Sequence, residues 1–271
     1  MISNLQAECL LAFNIWDVNS AKAVVDAAAD RKKNIILQTS SGIYSQIDAK
    51  ETKAFIKSYA DKKKISVWLH LDHCKDMKII EDAIAMEWDS VMIDASDLSI
   101  QENIDKTKRV IEIAHKAGVL VEAEVGQIKG TEDNIDIQEH RIASREEIRK
   151  FLAEAEVDML AVAFGNAHGI YKGKPKLNYD LIDYVAQLSG IPFVVHGGSG
   201  MEDEEIRKLS QKENVRKINI STEVKLAYRK GIMKSLKDGL LEEDGFQATL
   251  VEKTIYEAIY QLAFHKLGII I

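Results

Sequence analysis

Two prolines in 271 residues leave almost no rigid linker, and no Pro/Gly/Ser-rich or low-complexity tract divides the chain. One domain is therefore expected over 1–271, since a chain of this length matches a single large α/β unit. Only two cysteines are present, Cys9 and Cys74, and they form no metal-ligand or redox spacing. A disulfide framework is excluded by that scarcity, and a reducing compartment is the expectation. No apolar run approaches the roughly 18 residues that span a bilayer. The opening Met1-Ile2-Ser3-Asn4 has no basic stretch ahead of an apolar one, so a cytoplasmic location is expected. Basic excess is also missing: 36 Lys and Arg stand against 43 Asp and Glu, a formal charge of −7. That balance argues against nucleic-acid and membrane partners, while leaving room for a local pocket for a phosphorylated metabolite.

What the chain does have is a repeated pattern. Short β-rich apolar runs fall at 10–15, 34–40, 65–72, 90–96, 120–126, 159–165, 192–198 and 215–221. Between them lie stretches such as 20–31, 49–63 and 102–117, with apolar residues three and four apart. Strands alternating with helices of this length indicate βαβ units and a parallel sheet. Eight units suggest closure into a (β/α)8 TIM barrel, although an open doubly wound sheet shares the local pattern. Both prolines suit element edges, Pro175 in a loop and Pro192 at a strand start. The longest irregular stretch is 129–144, read as a functional loop after the fifth strand. The apolar segment 255–271 is read as a final helix packed on the barrel, with an interface as the alternative.

A barrel of this kind builds its active site at the C-terminal ends of its strands, and the unusual polar residues collect there. The third strand ends in His70-Leu71-Asp72-His73 and the fourth runs into Asp94. The fifth carries Glu122 and Glu124, and the sixth is followed by Asn166-Ala167-His168-Gly169. The seventh ends in His196-Gly197-Gly198-Ser199-Gly200 and the eighth in Asn219-Ile220-Ser221-Thr222. His73, His168 and His196 on three separate strands could converge on one zinc and leave a fourth position open; one such histidine alone would more often cap a strand. His70 is read as structural. The glycine-rich turn after the seventh strand occupies this fold's usual phosphate site, where backbone N–H groups can approach an anion.

These strings together resemble the class II, zinc-dependent ketose-bisphosphate aldolases, especially the tagatose-bisphosphate type. The resemblance rests on LHLDH at 69–73, SVMIDAS at 90–96, VEAEVGQIKGTED at 121–133, GNAHGIYKGKPKLNYD at 165–180, HGGSG at 196–200 and KINISTEVKLA at 217–227. It implies a lyase that reversibly cleaves a ketose 1-phosphate or 1,6-bisphosphate to dihydroxyacetone phosphate and an aldehyde. It implies His73, His168 and His196 as zinc ligands, with Asp94 and Glu124 at an alternative metal position and a monovalent cation as a further cofactor. Asp72 matches the acid that moves the proton of the hydroxyl. Glu132, in the loop after the fifth strand, matches the group that moves the proton at the enediolate carbon. Gly169, Gly197, Gly198, Ser199, Asn219, Ile220, Ser221 and Thr222 match the dihydroxyacetone-phosphate cradle, and Ser40 a residue near the aldehyde end. A homodimer or homotetramer is implied as well.

The residue types suit that chemistry, because neutral imidazoles leave zinc its full charge as a Lewis acid. The Schiff-base alternative needs a desolvated lysine in the barrel. Lys217 is the one lysine in the expected strands, and Asn219 is read as the better inward-facing residue there. Departures from the family pattern are Lys129 ahead of Gly130 where paired glycines are usual, Asp97 where histidine is common, and a short N-terminal segment. Segment 246–253 holds no arginine, where relatives commonly hold a distal phosphate with one. Two other readings stay open on the residues alone: a metal-dependent sugar-phosphate epimerase or isomerase, and a catalytically silent barrel.

Overall fold

Successive strand residues point to opposite sides, so a strand covered on both sides must be buried throughout. The expected strands have that character. The computed structural model describes residues 7–132, 135–137, 141–171 and 173–270, with 131–132 and 135–137 described by backbone alone. Its strands are β1 (Leu10–Asn14), β2 (Ile35–Ser40), β3 (Val67–Cys74), β4 (Ser90–Ile93), β5 (Leu120–Val125), β6 (Gly130–Glu132), β7 (Ile135–Ile137), β8 (Met159–Val162), β9 (Phe193–Val195) and β10 (Val215–Ile220). All but β6 and β7 pair in parallel, and the β1–β10 ladder closes them into an eight-stranded barrel. The open-sheet alternative is thereby excluded. The ribbon of β6 and β7 is antiparallel and lies within the segment read from sequence as irregular. Its short strands sit among charged residues with no apolar run to give a periodic signal.

The helices are α1 (Val18–Arg31), α2 (Ser41–Tyr44), α3 (Ala49–Lys63), α4 (Met77–Ala85), α5 (Ile100–Lys116), α6 (Arg145–Glu154), α7 (Tyr179–Ser189), α8 (Asp203–Ser210), α9 (Thr222–Lys237) and α10 (Ala248–Leu267). Reciprocal side-chain caps fix several starts: Asp17 with Ser20, Ser99 with Glu102 and Ser144 with Glu147. The final helix α10 packs on α1 and α9, as a closing element of the barrel's outer layer. The Arg31 guanidinium stacks over the Phe264 ring at 3.7 Å, pinning α10 to the end of α1.

The barrel interior divides by height. Near the strand starts it is apolar, filled by Leu10, Ala12, Ile36, Trp68, Met159, Ala161 and Val194. Two residues further along the same strands, the inward positions become Asn14, Gln38, His70, Glu122 and His196, all buried. The expected strands 90–96, 159–165 and 192–198 run three residues beyond β4, β8 and β9. Beyond β4 and β9 those extra residues include Asp94, Ser96 and His196, all buried polar side chains, whereas beyond β8 they are Ala163, Phe164 and Gly165.

Candidate active site

His73 and Asp72 are consecutive, yet both face the barrel mouth. Strict alternation forbids that. The register between β3 and β4 shifts between Leu71 and Cys74, and His73 takes a left-handed φ of 44°. Such a conformation is costly for a residue with a side chain and marks a site where geometry is imposed. The bulge re-aims His73 beside Asp72.

His73, His168 and His196 are all buried, and their candidate ligand atoms lie within 4.8 Å of one another. His73 Nε2 and His196 Nδ1 are 2.8 Å apart. A tetrahedral zinc about 2.0–2.1 Å from each nitrogen needs N–N separations of roughly 3.3 Å, which falls between those two figures. Each outward nitrogen of that pair is engaged by a carboxylate: His73 Nδ1 lies 3.0 Å from Asp94 Oδ2, and His196 Nε2 lies 2.9 Å from Glu122 Oε1. Carboxylates so placed fix the tautomers and turn the remaining lone pairs toward one point. His168 arrives from the loop after β8, its N–H donating to the Lys129 carbonyl at 2.8 Å. Asn166 braces the same loop by donating to the His196 carbonyl at 3.0 Å. The donor set fits zinc.

Charges around this cluster are strongly coupled. Burial opposes a proton on His73, but the carboxylates of Asp72, Asp94 and Glu124 outweigh it and hold its pKa well above the usual histidine value. Burial pushes Asp94 upward, yet the hydrogen bond and charge of His73 hold it far below the ordinary carboxylate range. Glu124, buried beside the Asp94 charge, is pushed up to about 8. Asp94 has a second engagement, accepting from the Ser96 hydroxyl at 2.7 Å. His70 is a buried side chain whose Nδ1 meets Ser90 Oγ at 2.8 Å, and burial pushes its pKa well down.

Asp72 accepts from Gln38 Nε2 at 2.9 Å, and Asn219 Nδ2 reaches its other oxygen at 3.3 Å. Ser40 ends β2 directly opposite Asp72 in the β2–β3 register. Glu132 ends β6, and its side chain lies outside the described residues. The strand it belongs to is pressed against the histidine loop. A Cβ on Gly130 would stand 2.3 Å from the His168 carbonyl oxygen, at a φ of 117°. Gly130 thus occupies a position that admits no side chain, whereas the preceding Lys129 bridges to Ala167 and accepts from the His168 N–H through its backbone.

At the neighbouring strand ends, Gly197, Gly198 and Ser199 follow β9, and Ser221 and Thr222 lead into α9. Ser199 Oγ accepts from the N–H groups of Ser221 and Glu223, at 3.1 and 3.2 Å, so its hydroxyl proton can point elsewhere. Gly197 admits no larger residue, because a Cβ there would stand 2.0 Å from the Ala167 carbonyl. Gly169 faces open space beside His168. Ile220 sends its side chain to the outer core, leaving only backbone for the cradle. Ser40 Oγ, Ser221 Oγ, Asn219 Oδ1 and Gln38 Oε1 are buried without a hydrogen-bond partner among the described residues. Buried polar atoms are normally paired, so this convergence marks a place shaped for a polar ligand.

Three residues went unassigned in the sequence reading. Gln38 holds Asp72, Glu122 holds His196, and Lys217 is fully buried with its Nζ 2.8 Å from Glu122 Oε2. Asn219 faces inward as expected, but Lys217, expected to be the poorer inward residue, faces inward too. Both face inward, because they lie two apart on β10 and strand side chains repeat with period two. The same rule applied from Glu124 and Ser40 would have found Glu122 and Gln38.

The chain matches the family described as fructose-bisphosphate aldolase class-II across residues 5–269. It is 36% identical over 229 residues to the sulfofructosephosphate aldolase of Alkalicoccus urumqiensis, covering 84% of this chain and 79% of that one. It is 33% identical over 219 residues to the D-tagatose-1,6-bisphosphate aldolase subunit GatY of Klebsiella oxytoca, covering 80% and 77%. Among solved structures, the YdjI aldolase from Escherichia coli K12 superposes with a TM-score of 0.80 at 27% identity, over 97% of this chain and 91% of that one. The fructose-bisphosphate aldolase of Campylobacter jejuni shares the fold with a TM-score of 0.79 at 22% identity, over 98% and 93%.

Proposed function

Since the chain belongs to the class-II fructose-bisphosphate aldolase family, and so is a lyase that cleaves ketose phosphates by aldol chemistry, we propose how its own residues divide that task. The observation that carries the proposal is the meeting of His73, His168 and His196 beside Asp72 at the mouth of the barrel. These three histidines hold the zinc. Zinc there supplies Lewis-acid polarisation of the ketose carbonyl and its neighbouring hydroxyl. Asp94 and Glu124 would form the alternative metal position.

The phosphate at C1 sits on the N–H groups of Gly197, Ser199 and Thr222, with the Ser199 and Ser221 hydroxyls donating, while the Gly198 N–H donates to the Asn219 carbonyl at 3.0 Å and so fixes the turn. Gly169, Asn219 and the Ile220 backbone complete the cradle. Placing it at the start of α9 adds the favourable end of the helix dipole. Asp72 takes the proton of the hydroxyl at the carbon that becomes the aldehyde, and returns it in condensation. Gln38 and Asn219 hold that carboxylate in place. Glu132 moves the proton at the carbon next to the carbonyl, on the face covered by the β6–β7 ribbon. Ser40 touches the aldehyde end.

The distal end of the substrate lacks the arginine that a second phosphate favours, segment 246–253 offering Lys253 as its one cation. Segment 246–253 has no arginine, and its Glu252 accepts from Asn19 at the start of α1 at 2.7 Å. Bidentate arginine binds phosphate better than any substitute. Preference for a bisphosphate over the matching 1-phosphate is therefore weak in this enzyme. We also propose a homodimer or homotetramer, supported by the exposed Leu226, Met233, Leu236 and Phe246 on α9 and the connection after it. Among the described residues no helix is long and apolar enough to cross a membrane, and a cytoplasmic location accords with that.

The test is a cleavage screen of mono- and bisphosphates of fructose, tagatose and their epimers with zinc present, scored for dihydroxyacetone phosphate. Release from at least one ketose phosphate is expected. Epimer interconversion without that product would contradict the assignment. A bisphosphate preference beyond about a thousandfold in kcat/KM would contradict the reading of the distal end, since one charged partner accounts for roughly one to two orders of magnitude.

A further inference from the structure

A lysine inside the barrel is left over once the metal, phosphate and proton-moving groups are assigned. Lys217 sits level with Leu10 in the β1–β10 register, at the boundary between the apolar lower interior and the polar upper one. Its side chain and that of Glu122 are wholly shielded from solvent, and the pair is joined at 2.8 Å. Burying an ion pair costs more desolvation than an apolar pair of similar volume, so such a pair is weak evidence for stability. Its arrangement offers a different return.

The two oxygens of Glu122 are claimed by different donors: Oε2 by Lys217 Nζ at 2.8 Å, and Oε1 by His196 Nε2 at 2.9 Å. A carboxylate gripped at both oxygens cannot rotate away from the imidazole. His196 Nε2 must then be the protonated nitrogen, since Glu122 offers only an acceptor. That leaves the Nδ1 lone pair aimed at the point where His73 Nε2 also faces, 2.8 Å away. On the remaining side His70 approaches Glu122 Oε2 only to 3.6 Å, too far to replace Lys217 as a donor.

We propose that Lys217 is a positioning residue of the metal site, acting through Glu122 to fix the tautomer and aim of His196. This rests on the three histidines being the zinc ligands. It also gives the buried lysine a task without a covalent step, its amine being held in an ion pair on the far side of Glu122 from the histidine cluster.

The experiment compares the parent protein with Lys217→Met and with the double variant Lys217→Met/Glu122→Gln. In the double variant no unpaired charge is buried, so if the single variant does not fold it shows whether the Lys217–Glu122 pair as a unit sets zinc binding. The readouts are the zinc dissociation constant by competition with a chromophoric chelator, and the absorption spectrum of the cobalt-substituted protein. Partners of metal-binding histidines typically contribute about 10- to 100-fold in metal affinity. Zinc binding weakened at least tenfold in the folded variants, with an altered cobalt spectrum, is the expected result. Parent-like affinity and spectrum with only a lowered melting temperature would overturn the proposal and leave Lys217 a purely structural residue. If the parent itself binds no zinc, the reading of the histidine cluster fails instead, and the two failures are separable.

Discussion

Asp94 Oδ2 and His73 Nδ1 face each other at 3.0 Å across the ends of β4 and β3, both buried. His73 sits at a left-handed backbone position, so its ring direction depends on what holds it there. Asp94→Ala removes that hold. Zinc affinity measured by chelator competition is expected to fall about 10- to 100-fold, with the fold retained. An unchanged affinity would confine Asp94 to the alternative metal position.

Asp72 and Glu132 are separable by half-reaction. Glu132→Gln is expected to slow exchange of the carbon-bound proton of dihydroxyacetone phosphate with solvent. Asp72→Asn is expected to leave that exchange largely intact while impairing cleavage of the whole sugar. General acid and base groups contribute about 10²–10⁴-fold, so losses under tenfold would count against either role. Equal losses in both assays for both variants would end the division of labour.

The phosphate cradle makes a graded prediction. Ser199→Ala deprives the N–H groups of Ser221 and Glu223 of their acceptor, and KM for a phosphorylated substrate is expected to rise about tenfold, roughly one hydrogen bond's worth. Gly197→Ala drives a methyl into the Ala167 carbonyl and displaces the neighbouring His168 loop. Both zinc binding and KM are expected to suffer in that variant. The order Gly197→Ala worse than Ser199→Ala is checked by steady-state kinetics on one substrate.

Away from the site, Asp26 on α1 joins three elements. It accepts from Tyr59 of α3 at 2.9 Å and Tyr256 of α10 at 2.6 Å, and pairs with Lys63 at 2.5 Å. Burial raises its pKa, but these donors outweigh burial and hold it below the ordinary 3.8. A depressed carboxylate stabilises the fold above its unfolded value, and that contribution is lost as pH falls through the folded one. Asp26→Asn is therefore expected to lower the melting temperature near neutrality, and to flatten its decline below about pH 4, where the parent loses this contribution. Parallel melting curves for parent and variant down to pH 2 would contradict the linkage.

How much of this was legible depended on period and position. The eight barrel strands and the C-terminal placement of His73, His168 and His196 follow from alternation of apolar runs with helices, because barrel topology brings strand ends together. The β6–β7 ribbon was not legible, since Gly130–Glu132 and Ile135–Ile137 lie in a charged stretch without an apolar run. Nor was the inward turn of His73 next to Asp72, which depends on a bulge that sequence alternation denies. Lys217 was legible and misread: period two from Asn219 points it inward, but a buried lysine runs against composition-based expectation, and its partner Glu122 lies 95 residues away.

The most direct measurement is dihydroxyacetone phosphate released from a ketose phosphate as a function of zinc bound per chain. Protein stripped with a chelator is reloaded in steps, and metal and turnover are followed together. The account predicts turnover rising in proportion to zinc up to one ion per chain, and none in His196→Ala at any loading. Turnover that survives complete stripping, or that is undiminished in His196→Ala, would contradict it.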